Sequence, residues 1–210
     1  MAAILFDLDG TLVDSSQGIV NAFTHTFTTL NITPPDITTL STYIGPPLET
    51  TFLDYFQEAS EVEEAINHFR AYYKTNGVYQ VHLYKGIKDL LNELINLNYD
   101  LYVTTSKHQP MAEVMLKELD IYSSFKVVYG SEKNRFLKVD VIKACLKENN
   151  ISLDQAIIIG DTKFDMIGGK GAGIDTLGVT WGFGSKEDLL LNGANLIADT
   201  PKEIIKLLSK

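Results

Sequence analysis

The feature that most constrains the fold is a regular alternation of short apolar segments with stretches of helical periodicity. Strand-like apolar segments occupy residues 3–8, 99–104, 125–129, 156–159, 176–181 and 195–198. From about residue 86 onward, apolar residues between these segments recur at helical spacing. Near-continuous apolar strands separated by helices are typical of a parallel sheet that is covered on both faces. The sequence therefore predicts an α/β fold with a doubly wound parallel sheet.

One long stretch interrupts this alternation. From residue 15 to about residue 80 the pattern is helical throughout, and aromatic side chains recur in it at helical intervals. Such an aromatic stripe is typical of the core of a small helical unit. We expect an α/β catalytic core formed by residues 1–14 and 83–210, with residues 15–82 inserted after the first strand as a helical cap domain.

Composition and charge narrow the classes of partner. The chain has 210 residues, of which 45% are hydrophobic, which is enough for a core and a small appendage. Its formal net charge of −9, without any run of Lys and Arg, disfavours nucleic acid and acidic lipid as partners. No stretch has the length of a membrane span, the first residues lack the features of a signal peptide, and Cys145 is the only cysteine. We expect a cytoplasmic protein that binds neither membranes nor nucleic acid, while its oligomeric state stays open.

Polar residues follow three of the predicted strands at their carboxyl ends, where ligands bind in sheets of this kind. Asp7 and Asp9 are two residues apart, so their side chains point to the same side. Taken singly, two aspartates are ordinary in a solvated turn, and hydroxyls or carboxylates at the start of a helix are ordinary caps. The remaining residues of this set are Thr105, Ser106, Asp161 and Asp165.

Together these residues resemble the motifs of the haloacid dehalogenase superfamily, whose members transfer phosphate through an aspartate nucleophile. The resemblance spans nearly the entire chain. The run from Asp7 to Thr11 (D-L-D-G-T) matches the first motif, and Thr105 matches the hydroxyl of the second. The run from Gly160 to Asp165 matches the acidic fourth motif.

The third motif is a lone lysine, which we place at Lys138, with Lys133 and Lys143 as nearby alternatives. The helical insert and the segments 44–48 and 180–184 resemble the phosphoglycolate phosphatase-like branch of the superfamily. One departure is Tyr84 before Lys85 and Gly86, where relatives commonly have proline before the glycine. This departure concerns the junction between cap and core more than the chemistry.

The resemblance implies a Mg²⁺-dependent phosphatase with an aspartyl-phosphate intermediate. Asp7 would be the nucleophile, and Asp9 would protonate the leaving alcohol and then activate water. The implied metal ligands are the Asp7 carboxylate, the Asp9 backbone carbonyl and the Asp161 carboxylate, with Asp165 in an outer shell or acting through water. The residues implied to bind the phosphoryl group or offset its charge are Gly10 and Thr11 (through backbone N–H groups), Thr105, Ser106 and Lys138.

The substrate class follows less directly from the sequence. We expect a small phosphorylated metabolite, with a phosphoglycolate phosphatase as first choice and a nucleotidase, a sugar-phosphate phosphatase or a pyrophosphatase as alternatives. A mutase of the β-phosphoglucomutase kind and a non-enzymatic phospho-switch resembling a receiver domain are further alternatives. Arg70, Lys107 and the 45–47 loop are candidates for contacting the organic part of the substrate. Four histidines are interpreted as structural or surface residues: His25, His68, His82 and His108.

Overall fold

The computed structural model of the protein describes residues 3–209, so the predicted core limits at residues 1, 2 and 210 lie outside the described part. The strands are β1 (Ala3–Phe6), β2 (Val13–Asp14), β3 (His82–Leu83), β4 (Asp100–His108), β5 (Val127–Ser131), β6 (Ala156–Gly160), β7 (Asp175–Val179) and β8 (Leu196–Ala198). The helices are α1 (Ser16–Thr29), α2 (Ile37–Ser41), α3 (Leu48–Leu53), α4 (Ala59–Thr75), α5 (Ile87–Asn96), α6 (Gln109–Glu118), α7 (Lys138–Glu148), α8 (Lys163–Ala172), α9 (Lys186–Leu191) and α10 (Pro201–Leu208).

Six strands form one parallel sheet in the order β5-β4-β1-β6-β7-β8. The chain builds outward from β1 in one direction through β4 and β5, and then in the other direction through β6, β7 and β8. The predicted α/β fold with a doubly wound parallel sheet is confirmed. The strand order reverses beside β1, and such a reversal leaves a crevice at the carboxyl ends of the central strands.

The sheet is covered on both faces, as the apolar strands require. In β1, Ile4 and Phe6 belong to one buried apolar cluster, and Ala3 and Leu5 belong to a second cluster on the opposite face. This separation follows from the two-residue period of a strand. Because Phe6 is in register with both Val103 and Ile159, the polar residues that follow β1, β4 and β6 lie at the same edge of the sheet.

The helices α1–α4, which we call the helical unit, lie between β1 and β4 in sequence. Phe23 of α1 is fully buried at the centre of this unit, with its ring centroid 4.7 Å from that of Phe69 and 5.6 Å from that of Phe52. The aromatic stripe is therefore a packed core, as predicted. These rings share one continuous cluster with Ile4 and Phe6 of the sheet, so the helical unit is packed directly against the sheet.

Two very short strands at the base of the helical unit were not predicted. β2 and β3 pair antiparallel, with Val13 opposite Leu83 and Asp14 opposite His82. They join the two chain segments that enter and leave the helical unit. Strands of two residues have no recognisable period in a sequence. The domain limits at residues 14/15 and 82/83 stay a prediction.

Several strand limits differ from those predicted, and two of them lie beside the polar residues at the edge of the sheet. β1 ends at Phe6 rather than at residue 8, because the carbonyl of Leu8 accepts three backbone hydrogen bonds, including those from Leu12 and Val13, that turn the chain. β4 continues to His108 rather than ending at residue 104, and its register with β5 shifts between Thr104 and His108. Within residues 3–209, no helix is long and apolar enough to cross a membrane. The cytoplasmic location stays a prediction.

Candidate active site

The carboxyl ends of β1 and β6 bring the predicted acidic residues together. Asp7 follows β1 directly and donates its backbone N–H to the carbonyl of Ile159 at 2.8 Å, which continues the pairing of β1 with β6. Asp161 follows β6, and Asp165 lies in the first turn of α8. All three carboxylates are buried, and an oxygen of each lies within 4.8 Å of the others.

Lys138 connects two of these carboxylates. It is the first residue of α7, and its buried ammonium donates to Asp7 Oδ1 at 2.5 Å and to Asp165 Oδ1 at 2.7 Å. The other oxygen of Asp165 accepts from the backbone N–H and the hydroxyl of Thr162, at 3.0 and 2.9 Å. Asp165 thus caps α8 and binds Lys138 at the same time. Its predicted role near the metal stays a prediction.

The Asp161 carboxylate is fixed by two segments of the chain, residues 10–11 and 182–183. Its Oδ1 accepts a 3.0 Å hydrogen bond from the Thr11 hydroxyl, and its Oδ2 accepts a 2.8 Å bond from the backbone N–H of Phe183. Glycine is required beside it, because a Cβ on Gly10 would lie 2.1 Å from Oδ2 and a Cβ on Gly182 would lie 2.3 Å from it. The segment around residues 180–184 therefore holds an acidic residue of the site.

The predicted role of Gly10 and Thr11 in binding the phosphoryl group stays a prediction, and the structure shows other contacts for both residues. Both were expected to bind the phosphoryl group through their backbone N–H groups, but those groups donate within the turn, to the carbonyls of Val13 and Leu8 at 2.8 and 3.3 Å. Among the described residues, neither lines the pocket over the acidic cluster. Both residues lie against Asp161, which accepts from the Thr11 hydroxyl and leaves no room for a side chain at Gly10.

Burial and mutual repulsion dominate the electrostatics of the acidic cluster. Burial raises the pKa of Asp7 to about 7, with Lys138 opposing the rise and Asp165 adding to it. Burial, followed by Asp165 and Asp7, also raises the pKa of Asp161 well above its ordinary value. Burial alone would lower the pKa of Lys138, but Asp165 and Asp7 outweigh it and raise that pKa. Without a further cation, it is therefore unfavourable to keep all three carboxylates of the cluster ionised.

The donor set suits a hard divalent cation. Three carboxylates face one ammonium in a buried space, so their formal charges leave an excess that one divalent cation would cancel. All the offered atoms are oxygens, which Mg²⁺ and Ca²⁺ prefer. Asp7, Asp161 and Asp165 are therefore the side chains that could hold a metal. The Asp9 carboxylate is not part of this cluster, and the expected role of its backbone carbonyl stays a prediction.

Asp9 makes a separate set of contacts. Its Oδ1 accepts from the hydroxyl of Ser15, and its Oδ2 lies 3.1 Å from the ammonium of Lys107. That ammonium also donates to the Tyr73 hydroxyl at 3.0 Å, so a residue of the helical unit joins the network. Thr105 is buried nearby, and its hydroxyl oxygen accepts from the backbone N–H of Lys107 at 3.2 Å.

A pocket between the sheet edge and the helical unit opens onto these groups. Asp7, Asp9, Thr105, Ser106 and Lys138 form part of its wall, as does Asp165. The helical unit supplies a largely apolar side with one ion pair, in which Arg70 lies 3.6 Å from Glu49. All the residues suggested from sequence for contact with the organic part, except the last of the 45–47 loop, line the pocket: Gly45, Pro46, Arg70 and Lys107.

For three residues of the pocket or of its contacts, the sequence predicts no role in the site: Ser15, Tyr73 and His108. His108 lines the wall, where burial lowers its pKa and Arg70 lowers it further. Tyr73 had been interpreted only as part of an aromatic core. The helical spacing of the residues in α4 does not indicate that the Tyr73 hydroxyl contacts Lys107 of a distant strand. Ser15 immediately precedes α1, and the sequence contains no signal for its bond to Asp9.

Fold and site together define a class of hydrolase with an aspartate at the end of the first strand and a helical unit above it. The chain belongs to the haloacid dehalogenase-like hydrolase family, whose model matches residues 4–179. Membership of this superfamily and the prediction of a phosphatase-type enzyme are confirmed.

Individual relatives extend this family assignment. A 5′-nucleotidase of Pseudomonas aeruginosa is 35% identical over 189 residues, which are 89% of this chain and 86% of the relative. A solved haloacid dehalogenase-like hydrolase of Streptococcus pneumoniae is 45% identical, with a TM-score of 0.92 and coverage of 99% and 98% of the two chains. A structure described as a predicted phosphoglycolate phosphatase of Haemophilus somnus shares the fold at 22% identity, with a TM-score of 0.85 and the same 99% and 98% coverage.

Proposed function

We propose that the protein hydrolyses a small-molecule phosphate monoester through an aspartyl-phosphate formed on Asp7, with Mg²⁺ as its cofactor. The observation that supports this most is the arrangement around Asp7. Its carboxylate lies at the floor of a pocket, 2.5 Å from the ammonium of Lys138 and within reach of two further buried carboxylates. A structural ion pair would need one carboxylate for one lysine, whereas this cluster has three.

The need for positive charge follows from the substrate. A phosphate dianion repels an approaching carboxylate, so the site must offset charge before Asp7 can attack. Lys138 supplies one positive charge at Asp7, whereas the charge of Lys107 is paired with Asp9. Mg²⁺, held by Asp7 and Asp161 with Asp165 beside them, would supply the remainder when bound.

The chemistry of the two steps can be assigned to Asp7 and Asp9. In the first step an Asp7 oxygen bonds to phosphorus while the bond from phosphorus to the alcohol oxygen breaks, and Asp9 gives that oxygen its proton. In the second step the Asp9 carboxylate takes a proton from water, whose oxygen attacks the aspartyl-phosphate and restores Asp7. Thr105 and Ser106, which line the pocket, would bind the phosphoryl oxygens.

The pocket wall bears on the substrate class. Phosphoglycolate was the first choice from the sequence, and for its carboxylate the wall offers Arg70 and His108. Arg70 already has an acidic neighbour, Glu49, and much of the remaining wall is apolar, including Tyr43 and Phe164. An aromatic and apolar wall suits a nucleobase. Because the 35% identical relative is named a 5′-nucleotidase, a nucleoside 5′-monophosphate is the second candidate.

A non-enzymatic phospho-switch is disfavoured by the same pocket. A switch needs its phosphoacceptor accessible to a partner protein, whereas Asp7 is buried beneath the helical unit. Asp9, a second carboxylate in the wall, has no evident part in a switch but would serve as the proton donor of a hydrolase. More than one equivalent of phosphate released per enzyme would exclude a switch.

The test is phosphate release from a panel of esters with Mg²⁺. The panel should hold 2-phosphoglycolate, nucleoside 5′-monophosphates, sugar phosphates and pyrophosphate, and each should be run with wild type and Asp7→Asn. We expect multiple turnovers by the wild type, none by Asp7→Asn, and none in excess chelator. Equal activity of Asp7→Asn would contradict the proposal, and the ranking of esters would identify the substrate class. Conversion of a sugar phosphate without phosphate release would indicate a mutase.

A further inference from the structure

The contacts of Asp9 extend beyond the sheet into the helical unit. Lys107 lies at the centre of this chain of contacts, with its ammonium 3.1 Å from Asp9 Oδ2 and 3.0 Å from the Tyr73 hydroxyl. The same ammonium lies 4.2 Å from the centroid of the Tyr73 ring, so it contacts both the hydroxyl and the face of that residue. The Lys107 ammonium of β4 thus contacts one side chain from α4 and one from the segment after β1.

The position of Lys107 depends on an irregularity in β4. The register of β4 with β5 shifts between Thr104 and His108, and Lys107 lies within the shifted segment. A bulge of this kind turns side chains away from the direction that regular alternation would give them. In β4 it brings Thr105, Ser106 and Lys107 to the pocket wall in succession.

The Tyr73 end of the contact is rigid. Tyr73 is buried, and its ring stacks on that of Phe69 with centroids 5.8 Å apart and an interplanar angle of 6°. Burial, as the largest cause, raises the pKa of Tyr73 to about 12, so its hydroxyl stays neutral and accepts from Lys107. The helical unit therefore presents a fixed acceptor to the Lys107 ammonium.

We infer that Lys107 is a positioning residue for Asp9 and that Tyr73 of the helical unit holds Lys107 in that position. The side chains of Asp9 and Lys107 are only 12% and 9% exposed, so neither has bulk water to replace the other as a partner. With Ser15 on Oδ1 and Lys107 on Oδ2, the Asp9 carboxylate is restrained at both oxygens. The proton donor is thus aimed through a contact with the helical unit, and it is aimed correctly only while that unit is docked on the sheet.

This inference rests on the proposed function, in which Asp9 is the proton donor. It predicts that losing Lys107 harms the steps that need Asp9 and spares the step that does not. Departure of an alkyl alcohol needs a proton, whereas departure of p-nitrophenolate needs little. We expect Lys107→Met to lower turnover of adenosine 5′-monophosphate and 2-phosphoglycolate about tenfold or more, since a positioned general acid contributes about 10²–10⁴-fold. Single-turnover release of nitrophenol from p-nitrophenyl phosphate should change by less than about twofold.

Tyr73→Phe keeps the ring and removes the acceptor. We expect the same selective loss as for Lys107→Met, of smaller size. A matched control is available at Lys117, which lies 4.7 Å over the Tyr122 ring and 3.8 Å from Glu113 but is 56% exposed. Lys117→Met and Tyr122→Phe should leave both readouts unchanged. If Lys107→Met slows the aryl and alkyl esters equally, Lys107 acts on phosphate binding or folding, and the positioning role is wrong.

A second measurement tests the contact between Lys107 and Tyr73 without an activity assay. Thermal unfolding of Lys107→Met, Tyr73→Phe and the double variant forms a double-mutant cycle. Tyr73→Phe should lower the Tm of the wild type and have little effect in the Lys107→Met background, whereas the Lys117 and Tyr122 cycle should be additive. Additive shifts at Lys107 and Tyr73 would overturn the contact. A wild type that releases no phosphate from any ester would instead contradict the proposed function, and with it the catalytic part of the inference, while the cycle still decides the contact.

Discussion

The ammonium of Lys138 lies 2.5 Å from Oδ1 of Asp7, across 131 positions of sequence, and both groups are buried. In sequence this lysine was one of three candidates, and only the structure shows which of them reaches the aspartate. Lys133 and Lys143 are both exposed. A buried ion pair of this kind is costly to break from one side, because the remaining charge keeps no partner.

We therefore expect Lys138→Ala to lower kcat about 10²–10³-fold, as removal of a preorganised charge from a site does. The reason is that the developing charge on the phosphoryl oxygens and Asp7 loses its nearest cation. Phosphate release with a saturating ester measures the effect, and circular dichroism checks that the variant folds. Lys143→Ala, on the exposed face of the same helix, is the matched control and should stay near wild type. An inactive Lys133→Ala beside an active Lys138→Ala would show that the third motif lies at Lys133.

Two of the glycines with positive φ, Gly10 and Gly86, allow a second prediction. Their φ values are +82° and +91°, so alanine should cost each about 1–2 kcal/mol of stability through the left-handed backbone. The surroundings differ, because a Cβ on Gly10 would lie 2.1 Å from Asp161 Oδ2, whereas a Cβ on Gly86 would meet Pro201 at 3.8 Å. Gly10→Ala should therefore also displace Asp161.

Calorimetric titration with Mg²⁺ separates the two effects. We expect Gly86→Ala to bind Mg²⁺ like the wild type and Gly10→Ala to bind it at least about tenfold more weakly, because disturbing the groups that orient a metal ligand typically costs about 10–100-fold in metal affinity. Denaturant unfolding of both variants gives the backbone cost that they share. Unchanged Mg²⁺ affinity in Gly10→Ala would show that Asp161 is not a metal ligand or is not held by this turn.

Much of the fold follows from the sequence because it depends on period and strand polarity. The alternation of Ala3, Ile4, Leu5 and Phe6 between two clusters is a local property of an apolar strand that is covered on both faces. The pairing of β2 with β3 could not be predicted from a local period. It joins Val13 to Leu83, two residues that are distant in sequence and belong to strands too short to show a period.

The candidate site likewise has a part that the sequence predicts and a part that it does not. Asp7, Asp161 and Asp165 could be placed together from sequence, because the carboxyl ends of parallel strands meet at one edge of the sheet. The contacts that orient these carboxylates could not, because they depend on how distant segments pack. Thr11 donates to Asp161 rather than facing the pocket, and the Tyr73 hydroxyl accepts from Lys107. Neither bond follows from a residue's position within its own strand or helix.

The acidic cluster predicts an unusual pH dependence for the metal-free protein. Burial raises the pKa of Asp7 from 3.8 to about 7, and it raises that of Asp161 in the same direction. A carboxyl with a raised pKa in the folded state binds its proton more tightly there than in the unfolded chain. Its contribution to stability is therefore complete below about pH 4 and is lost as the pH rises through about 7.

Denaturant unfolding in chelator between pH 4 and pH 8 measures this. The free energy of unfolding attributable to Asp7 should fall as the pH rises, and Asp7→Asn, which carries no titrating carboxyl there, should show a shallower fall. Added Mg²⁺ should stabilise the wild type most at the upper end of the range, where the carboxylates are ionised. Equal pH dependence of wild type and Asp7→Asn would contradict the raised pKa of Asp7.

The last prediction separates the duties of Asp7 and Asp9. Asp7 lies in the acidic cluster beside Lys138, while Asp9 lies outside it, between Ser15 and Lys107. Asp9→Asn keeps the nucleophile and removes the proton carrier. With an alkyl phosphate the first step should stall, because the leaving alcohol receives no proton. With p-nitrophenyl phosphate the first step should proceed, because nitrophenolate leaves without one.

Asp9→Asn should therefore release up to about one equivalent of nitrophenol and then slow sharply, because no base activates water against the aspartyl-phosphate. Rapid quench and mass spectrometry should find the added phosphoryl mass on the peptide that contains Asp7. Asp7→Asn is the control, and it should give neither the burst nor the added mass, because it lacks the attacking oxygen. Phosphoryl mass on another residue would show that Asp7 is not the nucleophile. Turnover of Asp9→Asn at the wild-type rate would show that Asp9 is not the proton carrier.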